Sequence, residues 1–161
     1  MSRRVRPAPP RRTAPGFSLV ELILTALIVG LVAAIALPRY ADALALHHAD
    51  AAARRVVADL EYARAHALAT SQTVEVAFDL DLDTLTVPGL AALDAPRQDH
   101  TTRLADEPYR ADLTQADFNQ APTVSFNGYG RPSSGGEVHL RVGSRTRTVR
   151  LDAHSGEADL P

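Results

Sequence analysis

Three hydrophobic patterns follow one another along the chain and predict three kinds of structure. Residues 17–37 form an almost unbroken apolar run, which at about 1.5 Å of rise per residue predicts a helix roughly 30 Å long. Residues 38–71 repeat apolar side chains at spacings of three and four, which is typical of a helix with one buried face. From residue 72 onward, apolar and polar side chains mostly alternate, which is typical of half-buried strands. An α+β fold is therefore predicted.

The apolar run over 17–37 is long enough to cross the hydrocarbon core of a membrane. All 17 basic residues are arginine, and five of them precede Gly16. The positive-inside rule therefore keeps the N-terminus in the cytoplasm and places the remainder of the chain across the membrane. A secretory signal peptide is disfavoured, because the run exceeds the about 7 to 15 residues of such a segment and contains Glu21. A plain anchor, with Glu21 reaching the headgroups, stays open on hydropathy alone.

The string GFSLVE, from Gly16 to Glu21, follows the basic leader and opens the apolar run. It resembles the processing site of type IV prepilins and type II secretion pseudopilins. The resemblance implies cleavage after Gly16 by a prepilin peptidase, N-methylation of Phe17 and a bacterial inner-membrane location with a periplasmic C-terminal domain. Four segments are implied: the cleaved leader 1–16, the transmembrane and assembly helix 17–37, its periplasmic continuation 38–71, and a periplasmic antiparallel β domain 72–161.

The resemblance also gives Glu21 and Pro38 a role. Cleavage leaves a cationic amine on Phe17, and in a filament of staggered parallel helices Glu21 of one subunit can lie beside the amine of another. An unpaired charge is costly in a low-dielectric setting, so the pair favours one axial register. Pro38 lacks a backbone N–H and crowds the preceding turn, which predicts a helix kink where many family members carry a proline.

The C-terminal part resembles, within the same family, the minor pseudopilin H subunit and its FimT-like relatives. The resemblance is carried by four segments: 125–130 (SFNGYG), 136–140 (GEVHL), 147–151 (RTVRL) and 155–157 (SGE). It implies a structural subunit of the type II secretion pseudopilus, which supports export of folded proteins across the outer membrane. The implied partners are other pseudopilins or pilins, the prepilin peptidase and N-methyltransferase, the inner-membrane assembly platform and membrane lipid. Residues 88–121 stay unmatched.

Local patterns predict the elements of the C-terminal part. Apolar residues of the helix at 53, 57, 60 and 67 should pack on a sheet, while Arg55 and Asp59 are placed on its solvated side. Alternation predicts a strand over 74–82 that runs into a hairpin, and residues 88–108 read as a long loop. Further strands are predicted at 85–87, 123–126, 137–142 and 145–152 and after Gly156, with a tight turn at Gly143-Ser144.

Four arginines near the C-terminus raise a second hypothesis. Arg141, Arg145, Arg147 and Arg150 could form a phosphate-binding patch, as in FimT-like minor pilins that bind DNA for natural transformation. The alternative is a charged strand edge that discourages aggregation. From Phe17 onward, 12 arginines face 19 acidic residues, a formal charge of −7. That balance makes nucleic acid an unfavoured partner.

The remaining polar motifs predict neither catalysis nor a cofactor. There is no cysteine to act as nucleophile or metal ligand. The run Asp79-Leu80-Asp81-Leu82-Asp83 lacks the glycine and the glutamate of a calcium loop. His47 and His48 are adjacent and diverge on a helix, and the glycines of 128–136 lack the lysine of a phosphate loop. No Ser/His/Asp arrangement is recognisable, so an enzyme is not predicted.

Overall fold

The computed structural model describes residues 16–91 and 98–161. Within these residues, one helix, α1, spans Leu19–Thr70 and precedes eight strands. The strands are β1 (Val74–Asp79), β2 (Thr84–Ala91), β3 (Asp99–Arg103), β4 (Asp112–Asp117), β5 (Thr123–Phe126), β6 (Gly136–Val142), β7 (Arg145–Leu151) and β8 (Ala158–Asp159). The chain divides into two compact units after Pro38, called here the N-terminal unit and the C-terminal unit.

The N-terminal unit is helical from Leu19 onward and has no packed core among residues 16–37. Ser18 caps the helix, since its carbonyl accepts the first helical hydrogen bond, from the N–H of Leu22 at 3.1 Å. The helix contains an 18-residue window with a mean hydropathy of 2.7, none of it buried. It is therefore long and apolar enough to cross a membrane, a property that signal sequences near an N-terminus share.

In the C-terminal unit, α1 lays one face against the strands. Its buried apolar residues recur at helical spacing and are mostly alanine: Ala49, Ala52, Ala53, Val56, Leu60, Ala63 and Ala67. These side chains belong to one hydrophobic core cluster with residues of the strands, so the helix forms one wall of the core. The predicted packing of the helix on a sheet is confirmed, although Val57 is only partly buried.

The strands form two antiparallel sheets. Sheet A has the order β3-β2-β1-β5, and sheet B has the order β4-β6-β7-β8. Gly143, with a φ of 56°, starts the two-residue turn between β6 and β7, as the sequence predicted. Phe78 of β1 and Phe118, which follows β4, stack with ring centroids 5.4 Å apart and join the two sheets. The predicted α+β fold is confirmed.

Two predictions about strands were wrong. The first strand ends at Asp79 and not at residue 82, because the Asp79 carboxylate accepts hydrogen bonds from the N–H groups of Asp81 and Leu82 and closes a turn. The predicted loop over 88–108 contains the end of β2 and all of β3, while its residues 92–97 lie outside the described part of the chain. The inward residues of β3 are His100 and Thr102, so the strand lacks an apolar alternation.

Candidate processing and assembly site

The predicted cleavage position lies between Gly16 and Phe17, directly ahead of α1. Gly16 is the first described residue, and a Cβ added to it would meet nothing within 4 Å. The side chain of Phe17 is 80% exposed. A protease that grips an extended backbone would meet no steric obstacle in the described residues around this bond. The leader residues 1–15 lie outside the described part of the chain.

Glu21 lies in the first turn of α1, and its side chain is exposed. The helix dipole is positive at this end, so a carboxylate is favourable here even in the single subunit. Around it the large apolar residues point outward on every side of the helix, including Leu22, Leu24 and Ile28. Glu21 is thus an accessible acid in an apolar surface, which is the arrangement that pairing with a neighbouring amine requires.

Pro38 lies inside the bounds of α1. The division between the two units falls directly after Pro38, and the direction of the helix is not compared across it. The kink that the sequence predicts there therefore stays a prediction.

The four C-terminal arginines do not form one patch. Residues directly opposite each other in an antiparallel pair share a face of the sheet. Arg147 is opposite the buried Leu140, and Arg145 is opposite the buried Val142, so both lie on the face of sheet B that meets α1. Arg147 forms an ion pair with Asp50 of the helix, and Arg145 Nη2 lies 3.6 Å from Asp42 Oδ2.

The other two arginines lie on the opposite face of sheet B. Arg141 is opposite Thr146, and Arg150 is opposite Glu137. Each again has a carboxylate partner: Arg141 Nη2 is 3.4 Å from Asp112 Oδ2, and Arg150 Nη2 is 2.9 Å from Glu137 Oε1. All four guanidinium groups are therefore paired within the chain, and they are divided between two faces.

A buried polar cluster joins α1 to β3, and the sequence prediction missed it. Asp59 was placed on the solvated side of the helix, but its side chain is only 3% exposed. Its Oδ1 lies 2.9 Å from His100 Nε2, and its Oδ2 accepts a hydrogen bond of 2.6 Å from the Thr102 hydroxyl. Arg55 completes the cluster, with its Nη2 at 3.1 Å from Asp59 Oδ1. Buried charge is tolerated here because every group has a partner.

A signal for this cluster exists in the sequence. Positions 56, 59, 60 and 63 follow the three-four spacing of one helical face, so Asp59 lies between Val56 and Leu60 on the apolar side. The i,i+4 spacing of Arg55 and Asp59 is typical of an ion pair on a helix surface, and for that reason the sequence predicted a solvated position for Asp59. The carboxylate faces β3 because Thr102 and His100 replace apolar residues at the matching inward positions.

The other polar motifs have structural explanations. Asp79 closes the β1–β2 turn, and Asp83, at a φ of 51°, accepts a 2.7 Å hydrogen bond from the N–H of Leu113. His48 bonds to the carbonyl of Pro108, while His47 is exposed. Over residues 16–91 and 98–161, no group of three or more histidine or acidic side chains is arranged to hold a metal ion.

Comparison with known proteins places the chain in a family. The family model "Type II transport protein GspH" matches residues 52–156, which is more than half of the chain. The chain belongs to the GspH family. A search of curated protein sequences returned no match.

Two solved structures share the fold. One is the minor pseudopilin EpsH from the type 2 secretion system of Vibrio cholerae, with a TM-score of 0.54, 18% identity, and coverage of 71% of this chain and 96% of that one. The other is the type IV minor pilin FimU of Pseudomonas aeruginosa, with a TM-score of 0.52, 16% identity, and coverage of 71% and 89%. The chain thus has a pilin-like fold, and its apolar helix and family indicate a membrane-anchored protein with a soluble domain.

Proposed function

We propose that this protein is a minor pseudopilin, a structural subunit of the pseudopilus of a type II secretion system that supports the export of folded proteins across the outer membrane. The observation that carries the proposal is the match of residues 52–156 to the GspH family. The likeness to EpsH, itself described as a minor pseudopilin, supports it at the level of the fold. The role is one of assembly and not of catalysis.

The proposal includes a processing step. A prepilin peptidase cuts between Gly16 and Phe17, and the new amine of Phe17 is methylated. The N-terminus faces the cytoplasm, because the arginines of the leader are retained there, and the C-terminal unit is periplasmic. The capping of the helix by Ser18 and the exposure of Phe17 support this step, since they leave the bond ahead of the helix accessible.

The proposal also includes the pairing of Glu21 with the Phe17 amine of a neighbouring subunit. Other pseudopilins or pilins supply the surrounding helices, which cover the exposed apolar side chains of residues 17–37. In that dry setting two opposite charges attract strongly, whereas one charge alone carries a large desolvation cost. The correct axial register of the subunits is therefore lower in free energy than a slipped register, in which the charges are unpaired.

The experiment is replacement of Glu21 by Ala in the full chain. Cleavage of the leader is expected to be unchanged, whereas recovery of the protein in sheared or sedimented filaments is expected to fall strongly. Glu61→Ala is the matched control, because Glu61 is a partly exposed acid on the same helix whose pairing with Arg64 is loose, at 3.8 Å. Recruitment of the Glu21 variant at the level of the control would contradict the pairing.

The DNA-uptake hypothesis receives less support. A phosphate contact at Arg145 and Arg147 would have to replace ion pairs with Asp42 and Asp50, and Arg141 and Arg150 lie on the other face. Sequence-independent DNA binding depends on several uncompensated cations in one surface.

A further inference from the structure

The turn between β6 and β7 lies at the end of the C-terminal unit where that unit begins. Arg145 Nη2 is 3.6 Å from Asp42 Oδ2, and Arg147, further along β7, forms an ion pair with Asp50. The turn after β7 lies beside Arg64, which is further along the helix again. These contacts follow the same order on both elements, so β7 runs in the same direction as α1. The turn that precedes β7 therefore points back toward the start of the unit.

The connection along the chain keeps this end of the unit close to the apolar run. The run ends at Leu37, and Asp42 follows it in the same helix. The rise of a helix from one position to the other is about 7.5 Å. In a bilayer the headgroup region extends about 5 to 8 Å beyond the hydrocarbon core on each side. When residues 17–37 span the membrane, the Asp42–Arg145 pair therefore lies within or directly above the headgroup layer, whatever the angle between the two units.

Three side chains at this end have the chemistry of that layer. Tyr40 is 72% exposed, and tyrosine is enriched at membrane–water interfaces because its ring is apolar and its hydroxyl is polar. Arg39 is exposed, and none of the ion pairs formed within the described part of the chain includes it. The Arg145 side chain is 46% exposed, and its contact with Asp42 is too long for a hydrogen bond. The N–H donors of Arg145 are therefore available to a phosphate group.

The charge at this end differs from that of the unit as a whole. Residues 39–161 contain 12 arginines and 18 acidic residues, a formal charge of −6. At this end Arg39 and Arg145 outnumber Asp42, so the local charge is positive. An anionic surface therefore repels most of the unit and attracts this end. The tip of the turn, Gly143-Ser144, is exposed and has no bulky side chain that would hold such a surface away.

We propose that Arg39, Tyr40 and Arg145 form a docking surface for the headgroups of anionic phospholipids. The two guanidinium groups donate hydrogen bonds to headgroup phosphates, and the Tyr40 ring lies at the boundary with the hydrocarbon core. Two phosphate contacts suffice because the membrane anchor holds the unit at a high effective concentration of headgroups, which free DNA does not share. The contact holds the C-terminal unit against the membrane before the chain enters a filament. The inference rests on the proposed function, because it requires residues 17–37 to span the membrane.

The test is quenching of a fluorophore on the β6–β7 turn by a lipid that carries a nitroxide on its headgroup. The sequence contains no cysteine, so Ser144→Cys takes a single label in the full chain and spares the three docking residues. The labelled chain is reconstituted in vesicles of equal parts phosphatidylethanolamine and phosphatidylglycerol, and strong quenching is expected. A label on Ala69→Cys, an exposed position about 40 Å further along α1 than Asp42, is expected to be quenched little.

Charge variants separate docking from the proximity that the anchor imposes. Arg39→Gln and Arg145→Gln should each lower the ratio of docked to undocked chains about fivefold, and the two together by about tenfold or more. Arg145→Lys, which keeps the charge, should retain most of the quenching. Arg150→Gln removes the same charge from an exposed position on the opposite face of sheet B and should leave the quenching unchanged. Vesicles of phosphatidylcholine alone should lower the quenching of the wild-type arginines as the double variant does.

Three results would overturn the proposal. These are absence of quenching at position 144, equal quenching at positions 144 and 69, and quenching at 144 that the Arg39 and Arg145 variants leave as strong as the Arg150 variant does. The last result would mean that the anchor alone keeps the turn near the membrane. The proposed function has its own readout in filament recovery of the Glu21 variant. A wild-type chain that enters filaments yet shows no charge-dependent quenching removes the lipid contact and leaves the proposed function standing.

Discussion

The N-terminal and C-terminal units share one helix but use hydrophobic residues in opposite ways. In the C-terminal unit, the apolar face of α1 is covered by strands, and residues such as Val56 and Leu60 are buried. In the N-terminal unit, apolar residues occupy all sides of the helix and remain exposed, Leu24 and Val29 among them. A helix that is apolar all round needs an apolar environment, either lipid or other helices. One unit therefore stabilises the fold, and the other is built for association.

The difference between the two units is tested most strongly by truncating one leucine in each unit. Leu60→Ala removes a fully buried side chain and is expected to lower the free energy of unfolding by about 3 kcal/mol. Leu24→Ala removes an exposed one and is expected to change it by less than about 0.5 kcal/mol. Guanidinium unfolding of the full chain in one detergent, followed by circular dichroism, measures both. Equal losses would show that the N-terminal unit also has a packed core.

The buried polar cluster gives the next largest effect. Asp59→Ala leaves His100 and Arg55 without their common acceptor and is expected to lower the free energy of unfolding by about 3 kcal/mol. The loss is not larger because Arg55 is partly exposed. Glu61→Ala, two positions along, should lower the free energy of unfolding by less than about 0.5 kcal/mol, because its ion pair is partly exposed and loose, at 3.8 Å. The same unfolding titration compares the two variants. If the Asp59 variant were as stable as the Glu61 variant, the result would contradict the burial of Asp59 and favour a solvated position for it.

The C-terminal arginines are expected to matter less. Neutralising Arg145 and Arg147 removes two partly exposed ion pairs and should cost no more than about 1 kcal/mol per pair. In a gel-shift assay the wild-type chain should show no salt-sensitive retention of DNA. Retention that disappears in the Arg145/Arg147 variant would favour the DNA-uptake hypothesis over secretion.

The smallest effect concerns the turn after β7. Hydrogen bonds donated by the backbone N–H groups of Ser155 and His154 lower the pKa of Asp152 from its ordinary value of 3.8. A depressed carboxyl pKa contributes stability that is present above the ordinary value and is lost as the pH falls through the folded-state pKa. The Tm difference between wild type and Asp152→Ala should therefore persist at neutral pH and shrink below about pH 3.8. A difference independent of pH would contradict this role.

The sequence was informative where one pattern had one structural meaning. The strands at 123–126 and 137–142 and the turn at Gly143 were predicted because alternation and turn chemistry agreed there. It was misleading where a polar residue took an apolar position, as Asp59 does in α1 and His100 does in β3. Such residues are buried because they satisfy each other across elements distant in sequence, and no local pattern carries that information.

The candidate site residues also differ in how well the sequence predicts them. The string GFSLVE alone indicates Gly16, Phe17 and Glu21 as candidates, and the structure adds the Ser18 cap and the exposure of Phe17. The four arginines looked like one patch because they are close in sequence. Alternation along β6 and β7 instead divides them between two faces, and their acidic partners come partly from α1.

The most direct test of the central claim is intact-mass and N-terminal peptide mass spectrometry of the protein purified from its own membranes. The account predicts a mature chain that begins at Phe17, with a methyl group on its amine. A chain that retains residues 1–16, or that begins at another position, would contradict it.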